Sequence, residues 1–156
     1  MLINYLLITI SVLASVESTI LITQPALTGF TDNQISYWFA NFGVVHYNKP
    51  MSLAIVVTNY SLCGETEESN LPPFSVPTYI VVKEGGCSFT TKSIQAQNKG
   101  AQGIMIGSRE VEFADGNVVL SDDGNGRKVR ITTLFIKPED VDKLTALTNS
   151  KIKVNF

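Results

Sequence analysis

Histidine occurs once in this chain, at His46, and cysteine twice, at Cys63 and Cys87, with no Cys-x-x-Cys pair. An ordinary zinc site needs three or four suitably spaced Cys, His or carboxylate ligands. The sequence therefore offers no metal centre, and no cofactor is expected. A Ser/His/acid triad would have to use His46, and no Gly-x-Ser-x-Gly nucleophile motif accompanies it. No catalytic residue is assigned, and the chain is read as non-enzymatic. Charge of one sign is also lacking, because 12 basic and 14 acidic residues are interspersed and sum to −2. A nucleic-acid binder carries a basic footprint, so nucleic acid is not an expected partner. After Ile20 no run approaches the roughly 18 apolar residues that cross a bilayer.

One shorter apolar run is present. Leu2 to Ala14 is too short to span and has the length of a signal-peptide core, followed by small residues. Residues 1–18 are read as a secretory signal cleaved after Ser18, with Ala14 as the second choice. An apolar N-terminal strand or an uncleaved anchor is the alternative, since no lysine or arginine precedes the run. Residues 19–156 then form a single domain without a membrane span, located outside the cell or in an endomembrane lumen. Its length suffices for a substantial core.

Along that domain, Ile20 to Gly29 reads as a short strand ended by Pro25. The runs beginning ISYWF and MSLAIVV add strands bounded by Gly43, Asn48 and Pro50. Residues 64–77, with three acids and three prolines, mark an exposed acidic loop. Tyr79 to Val82 is aliphatic at successive positions, as in parallel strands covered on both faces. A helix capped by Ser88 or Thr90 follows, with Phe89, Ser93, Ala96 and Gly100 on its inward face and Gly100 ending it. Gly103 to Gly107 is the next buried strand, which completes a strand, helix, strand crossover. Residues 116–129 read as a turn-rich hairpin or loop, and RITTLFI as a strand. Pro138 opens a short amphipathic helix facing inward through Val141, Leu144 and Leu147, and Ile152, Val154 and Phe156 alternate as a last strand.

Chemistry-bearing motifs are few. Two cysteines in a chain of secretory type suggest one Cys63–Cys87 disulfide, which closes a loop of about 25 residues and stabilises by roughly 3 kcal/mol. Two buried thiols, or a bridge to another chain, are the alternatives. Asn59-Tyr60-Ser61 is a glycosylation sequon, so Asn59 is the candidate glycan site. The Ser121 to Gly126 stretch lacks the alternating acids and closing glutamate of a calcium loop, and reads as a turn. Lys83 to Cys87 is glycine-rich before a helix but has no Walker spacing.

Val81 to Ala101 resembles the core motif of the protease-associated (PA) domain family. The motif is carried by Gly85-Gly86-Cys87-Ser88-Phe89, Lys92, Ala96-Gln97 and Gly100-Ala101, between Tyr79–Val82 and Gly103–Ile106. Residues 131–144 are similar to the family's closing strand and helix, with Thr133 where proline is usual. Ile20–Gly29 and Phe39–Asn48 resemble the PA domain of vacuolar sorting receptors. The resemblance implies a β-rich α/β fold, a closed or sandwich-like sheet or open barrel flanked by short helices with one βαβ crossover. It implies a non-catalytic module binding a peptide or protein segment. The implied binding residues are Lys83, Glu84, Gly85, Gly86, Ser88 and Phe89, with Asn41, Phe42, Gly43 and the acidic loop alongside. Glu84 stands where the receptors carry arginine, which implies a different cargo, because a carboxylate cannot donate a guanidinium's forked hydrogen bonds. A structural accessory subunit of a larger secreted or membrane-associated assembly is the alternative function.

Overall fold

The computed structural model of the chain describes residues 19–24, 34–45, 51–64, 71, 73–109, 120–146 and 151–155. The expected signal segment, His46, residues 65–70 of the acidic loop, Leu147 and Phe156 lie outside the described residues.

The described strands are β1 (Thr19–Gln24), β2 (Gln34–Phe39), β3 (Met51–Val57), β4 (Thr78–Lys83), β5 (Gly103–Gly107), β6 (Thr132–Ile136) and β7 (Lys151–Asn155). Their ladders close into a barrel in the order β1-β2-β6-β5-β4-β3-β7. The run from β3 through β4 and β5 to β6 is parallel, and the remaining pairs are antiparallel. Two helices flank the ring, α1 (Phe89–Asn98) and α2 (Pro138–Ala146). The β-rich α/β class and the β4-α1-β5 crossover agree with the sequence reading, and the choice among sheet forms resolves into a closed ring.

The aliphatic character of β4 has a simple cause: the strand is buried on both faces. Tyr79 and Val81 join Ile35, Tyr37, Leu53, Ile55, Met105, Leu134 and Ile136 in one apolar cluster, drawn from β2 through β6. Ile80 and Val82 point the other way, toward Ala96 of α1, Ile104, Ile106 and Phe135. Each such aliphatic side chain is worth about 1.5–3 kcal/mol of burial. Val141 and Leu144 of α2 complete the first cluster, and α2 packs on β3 and β5. Pro138 starts α2, Glu139 and Asp140 occupy its first turn, and the Asp140 carboxylate accepts from Ser36 N at 3.1 Å and pairs with Lys143 at 2.8 Å. Lys143 in turn donates to Gln34 O at 3.0 Å, so α2 is fastened to the start of β2.

The α1 face differs from expectation in part. Ser93 and Ala96 are buried as expected, but so are Thr90 and Lys92, whereas Gly100 is exposed. Gly100 still ends the helix in the left-handed region, at φ 83°. The Ser93 hydroxyl donates to Phe89 O at 2.8 Å and meets the Thr133 hydroxyl at 2.9 Å. Thr133 thereby satisfies a polar group that α1 buries against the sheet. β2 stops at Phe39, and residues 40–45 form a turn and irregular chain rather than more strand.

Candidate functional site: a cysteine-pinned turn and its neighbouring loops

β4 delivers the chain to the turn with Lys83 exposed, and Glu84 N donates to Gly107 O at 2.9 Å. The chain then reverses through Gly85 and Gly86 at φ 97° and 84°, a conformation that glycine adopts without the Cβ clash of other residues. A Cβ on Gly86 would lie 3.0 Å from Cys63 Sγ. The sulfur fills that space because Cys63 and Cys87 are joined in one disulfide, with their Cα atoms 5.6 Å apart. Of the three arrangements open to two cysteines, the chain adopts the internal bridge. Ser88 then caps α1, accepting from Thr91 N at 3.2 Å.

Two cations stand against this turn. Lys92, fully buried, donates its ammonium to Ser61 O and lies 3.6 Å from Cys63 Sγ. Segment 61–63 is thus held from beneath by a charge-assisted hydrogen bond as well as by sulfur. Leu62, between them, takes a left-handed φ of 53° with its side chain fully buried. Such strain persists only where the surroundings over-determine it. On the outer side, the Arg109 guanidinium lies over Gly85, where a Cβ would meet its carbon and two nitrogens at 2.7–3.0 Å. Glu84 Oε2 accepts from Arg109 N at 3.3 Å. Glu84 therefore has an arginine for its neighbour.

The Asn41–Gly43 turn is held by Asn41 N to Leu120 O at 3.4 Å and Val44 N to Ile131 O at 3.2 Å. Gly43 sits at φ 84°, and a Cβ there would be 2.5 Å from Ile131 O, so both backbone angle and space demand glycine. Between the two turns runs the loop Leu120–Gly126. Asp122 Oδ1 accepts from Gly124 N at 2.8 Å and Gly126 N at 2.6 Å. Gly126 packs so closely that a Cβ there would lie 2.7 Å from Phe42 Cβ. Asp123 Oδ1 accepts from Asn125 N at 3.0 Å, and its Oδ2 accepts from Ser88 Oγ at 2.6 Å. The Ser88 hydroxyl, followed by Thr90 and the Asn125 amide, holds the Asp123 carboxyl well below the usual carboxylate range.

One loop thus links both halves of the candidate site named from sequence. In the sequence its aspartates read only as turn formers, and Asp-Asp-Gly-Asn-Gly, rich in side chains that bond nearby amides, is the signal that marks them. Phe42 is buried, and Phe89 packs edge-on against Phe135 with ring centroids 5.8 Å apart. These two rings anchor the turns, while Lys83, Gly86, Asn41 and Gly43 are exposed. Two depressions flank the region. One, of about 350 Å³, is lined by Asn41–Val44, Asp122, Gly126, Arg127, Val129 and Arg130. The other, of about 410 Å³, lies where β3 and β4 end beside α2 and has the exposed Asn59 on its wall. Among the described residues no cluster of three or more His, Cys, Asp or Glu side chains is placed to hold a metal. No described helix is long and apolar enough to cross a membrane.

The PA domain family model matches residues 47–144. Vacuolar-sorting receptor 2 of Arabidopsis thaliana is 35% identical over 78 residues, 46% of this chain and 12% of the receptor. A zinc aminopeptidase from Bacillus subtilis superposes with a TM-score of 0.59 at 18% identity, over 89% of this chain and 30% of its own. An aminopeptidase from Aneurinibacillus sp. strain AM-1 gives a TM-score of 0.53 at 17% identity, over 90% and 30%. These two share the fold, and the chain spans only a minor part of each of the three proteins. With the glycine turn, the disulfide and the β4-α1-β5 crossover in place under a family match over most of its length, this chain belongs to the PA domain family.

Proposed function

We propose that this PA domain is a non-catalytic module of the secretory route that binds an extended segment of a peptide or protein. The observation that carries the reading is the joining of the Lys83–Ser88 turn and the Asn41–Gly43 turn through the single loop Leu120–Gly126. Exposed turn backbone offers hydrogen bonds to an extended segment, and side chains around it supply selectivity. Both cysteines are tied together, which removes them as nucleophiles and fits an oxidising compartment. Similarity to a vacuolar-sorting receptor supports the same route. Asn59, exposed at the end of β3, is the proposed glycan site, and a glycosidase-sensitive mass shift lost in Asn59→Gln tests it.

The binding experiment is titration of the purified protein with a peptide library, followed by Glu84→Arg. Saturable binding at roughly micromolar Kd that changes its sequence preference in the variant supports the reading. Absence of any peptide binding removes it. A structural accessory subunit of a larger secreted or membrane-associated assembly is the second reading. A stoichiometric partner that survives every purification step would select that one.

A further inference from the structure

Gly126–Lys128 forms a single 3-10 turn, and Val129 immediately after it is buried. Arg127 is carried by that turn, and Arg130 follows Val129, whose backbone is already extended at φ −79° and ψ 124°. Both line the depression under Asn41–Val44. The backbone that carries them is pinned to α1 by one amide side chain: Gln97 Nε2 donates to Lys128 O at 3.3 Å, and Gln97 Oε1 accepts from Arg130 N at 2.6 Å. Lys128 directs its own ammonium elsewhere, to Asn125 Oδ1 at 2.9 Å.

Among the described residues neither guanidinium has a carboxylate partner, and the only ion pair found there is Lys143–Asp140. The one acid on the wall, Asp122, has Oδ1 engaged by two backbone amides. Val44, on the same wall, is 39% exposed, and among the described residues only Tyr60 is another exposed large hydrophobic. Two forked donors beside an uncovered aliphatic surface match a carboxylate neighboured by an apolar side chain.

We propose that this depression is the carboxylate-reading subsite of the bound segment, with Arg127 and Arg130 as its specificity-determining residues and Val44 seating the adjoining aliphatic group. The inference rests on the segment-binding reading given above. An internal Glu or Asp and a C-terminal carboxylate present the same chemistry, and the test separates them.

Three capped tetrapeptides serve as probes: Ac-Gly-Val-Glu-Val-NH2 with an internal carboxylate, Ac-Gly-Val-Gln-Val-OH with a terminal one, and Ac-Gly-Val-Gln-Val-NH2 with none. Amide and arginine side-chain resonances of the 15N-labelled full chain are followed during titration. At least one carboxylate peptide is expected to shift Asn41–Val44 and both arginine Nε–H signals, with an affinity about tenfold above the uncharged peptide. That preference disappears in Arg127→Gln/Arg130→Gln and is partly kept in Arg127→Lys/Arg130→Lys, which retains charge without the fork. Which carboxylate peptide responds identifies the source. Equal shifts from all three peptides, no shift at Asn41–Val44, or a preference that survives the double glutamine variant overturns the subsite. Shifts confined to Lys83–Phe89 with no carboxylate preference would sink it while leaving segment binding intact. Silence at both faces in this titration and in the library would remove both.

Discussion

Replacing both cysteines by alanine isolates the disulfide's contribution. The bridge joins residues 24 apart, so it closes a loop of about 25 residues and, in the chain-entropy model, removes about 3.5 kcal/mol of freedom from the unfolded chain. The folded turn has other attachments. Lys92 still bonds Ser61 O, Leu62 is still buried, and the β3–β4 ladder still pairs Val57 with Val81. The native conformation of residues 61–63 and 84–88 is therefore expected to survive, with the loss arising in the unfolded ensemble. Urea unfolding of Cys63→Ala/Cys87→Ala should show about 3.5 kcal/mol less stability, which for a domain of this size lowers Tm by roughly 7–14 °C. Amide shifts away from the two substituted positions should stay close to those of the parent. Reducing the parent should reproduce the double variant. A loss under about 1 kcal/mol, or a turn whose resonances collapse while the rest of the domain stays folded, refutes the partition argued here.

Lys92→Met keeps the stem of the buried side chain but leaves Ser61 O without its ammonium donor, which should cost about 1–3 kcal/mol in urea unfolding and loosen hydrogen-exchange protection at residues 61–63. Gly43→Ala and Gly124→Ala form a matched pair: both start from positive φ, but only the first places a Cβ 2.5 Å from a carbonyl oxygen, whereas the second meets nothing within 4 Å. The second should cost about 1–2 kcal/mol and the first clearly more, and equal costs would deny the close approach to Ile131. Stability against pH should carry two opposed contributions. Asp123, held low by Ser88, stabilises above the unfolded carboxylate pKa of about 3.9 and loses that contribution as pH falls, so Asp123→Asn should flatten the acid limb. Asp140 is pushed up by burial against the pull of Lys143, so its contribution is complete below about 3.9 and is lost as pH rises through its raised folded value. Asp140→Asn should remove that decline, and an unchanged profile in either variant contradicts the assignment.

The legible parts of the fold are those written in neighbouring residues. Ser88 as cap, Gly85-Gly86 as turn, Pro138 as helix start and the aliphatic run of β4 each act within a few positions, and each is legible to within a residue or two. What escaped reading depends on pairs distant in sequence. Ser88 finds Asp123 across 35 residues, and Ser93 finds Thr133 across 40. Lys92 is the sharpest case, because a lysine in a helix reads as solvated until the chain from Ser61 to Cys63 is folded over it. Arg127 and Arg130 escaped for a related reason: their shared depression exists only once the Asn41–Gly43 turn has been seated on Ile131.

The same distances bear on why the proposed binding would fall at this place in the barrel. The strands in the parallel run pair side by side and leave the chain between them to cross over outside the sheet, so β3-to-β4, β4-to-β5 and β5-to-β6 must each be joined by a long connection. Among the described residues α1 fills the middle one, and the third holds the single 3-10 turn Gly126–Lys128. The rest of the described chain in the first and third is irregular, and irregular chain needs fastening. Sulfur and Lys92 fasten the first connection to the turn before α1, and Ser88 and Gln97 fasten the third to α1 itself. Exposed turn backbone is thereby held on a rigid scaffold, and preorganised backbone gives a bound segment more of its interaction energy because less is lost in ordering the site. On the proposed reading the disulfide, Lys92, Asp123 and Gln97 would contribute to recognition without touching the ligand. Loosening any one of them should weaken peptide affinity chiefly through faster dissociation, whereas changing Arg127 or Arg130 should alter which peptide is preferred.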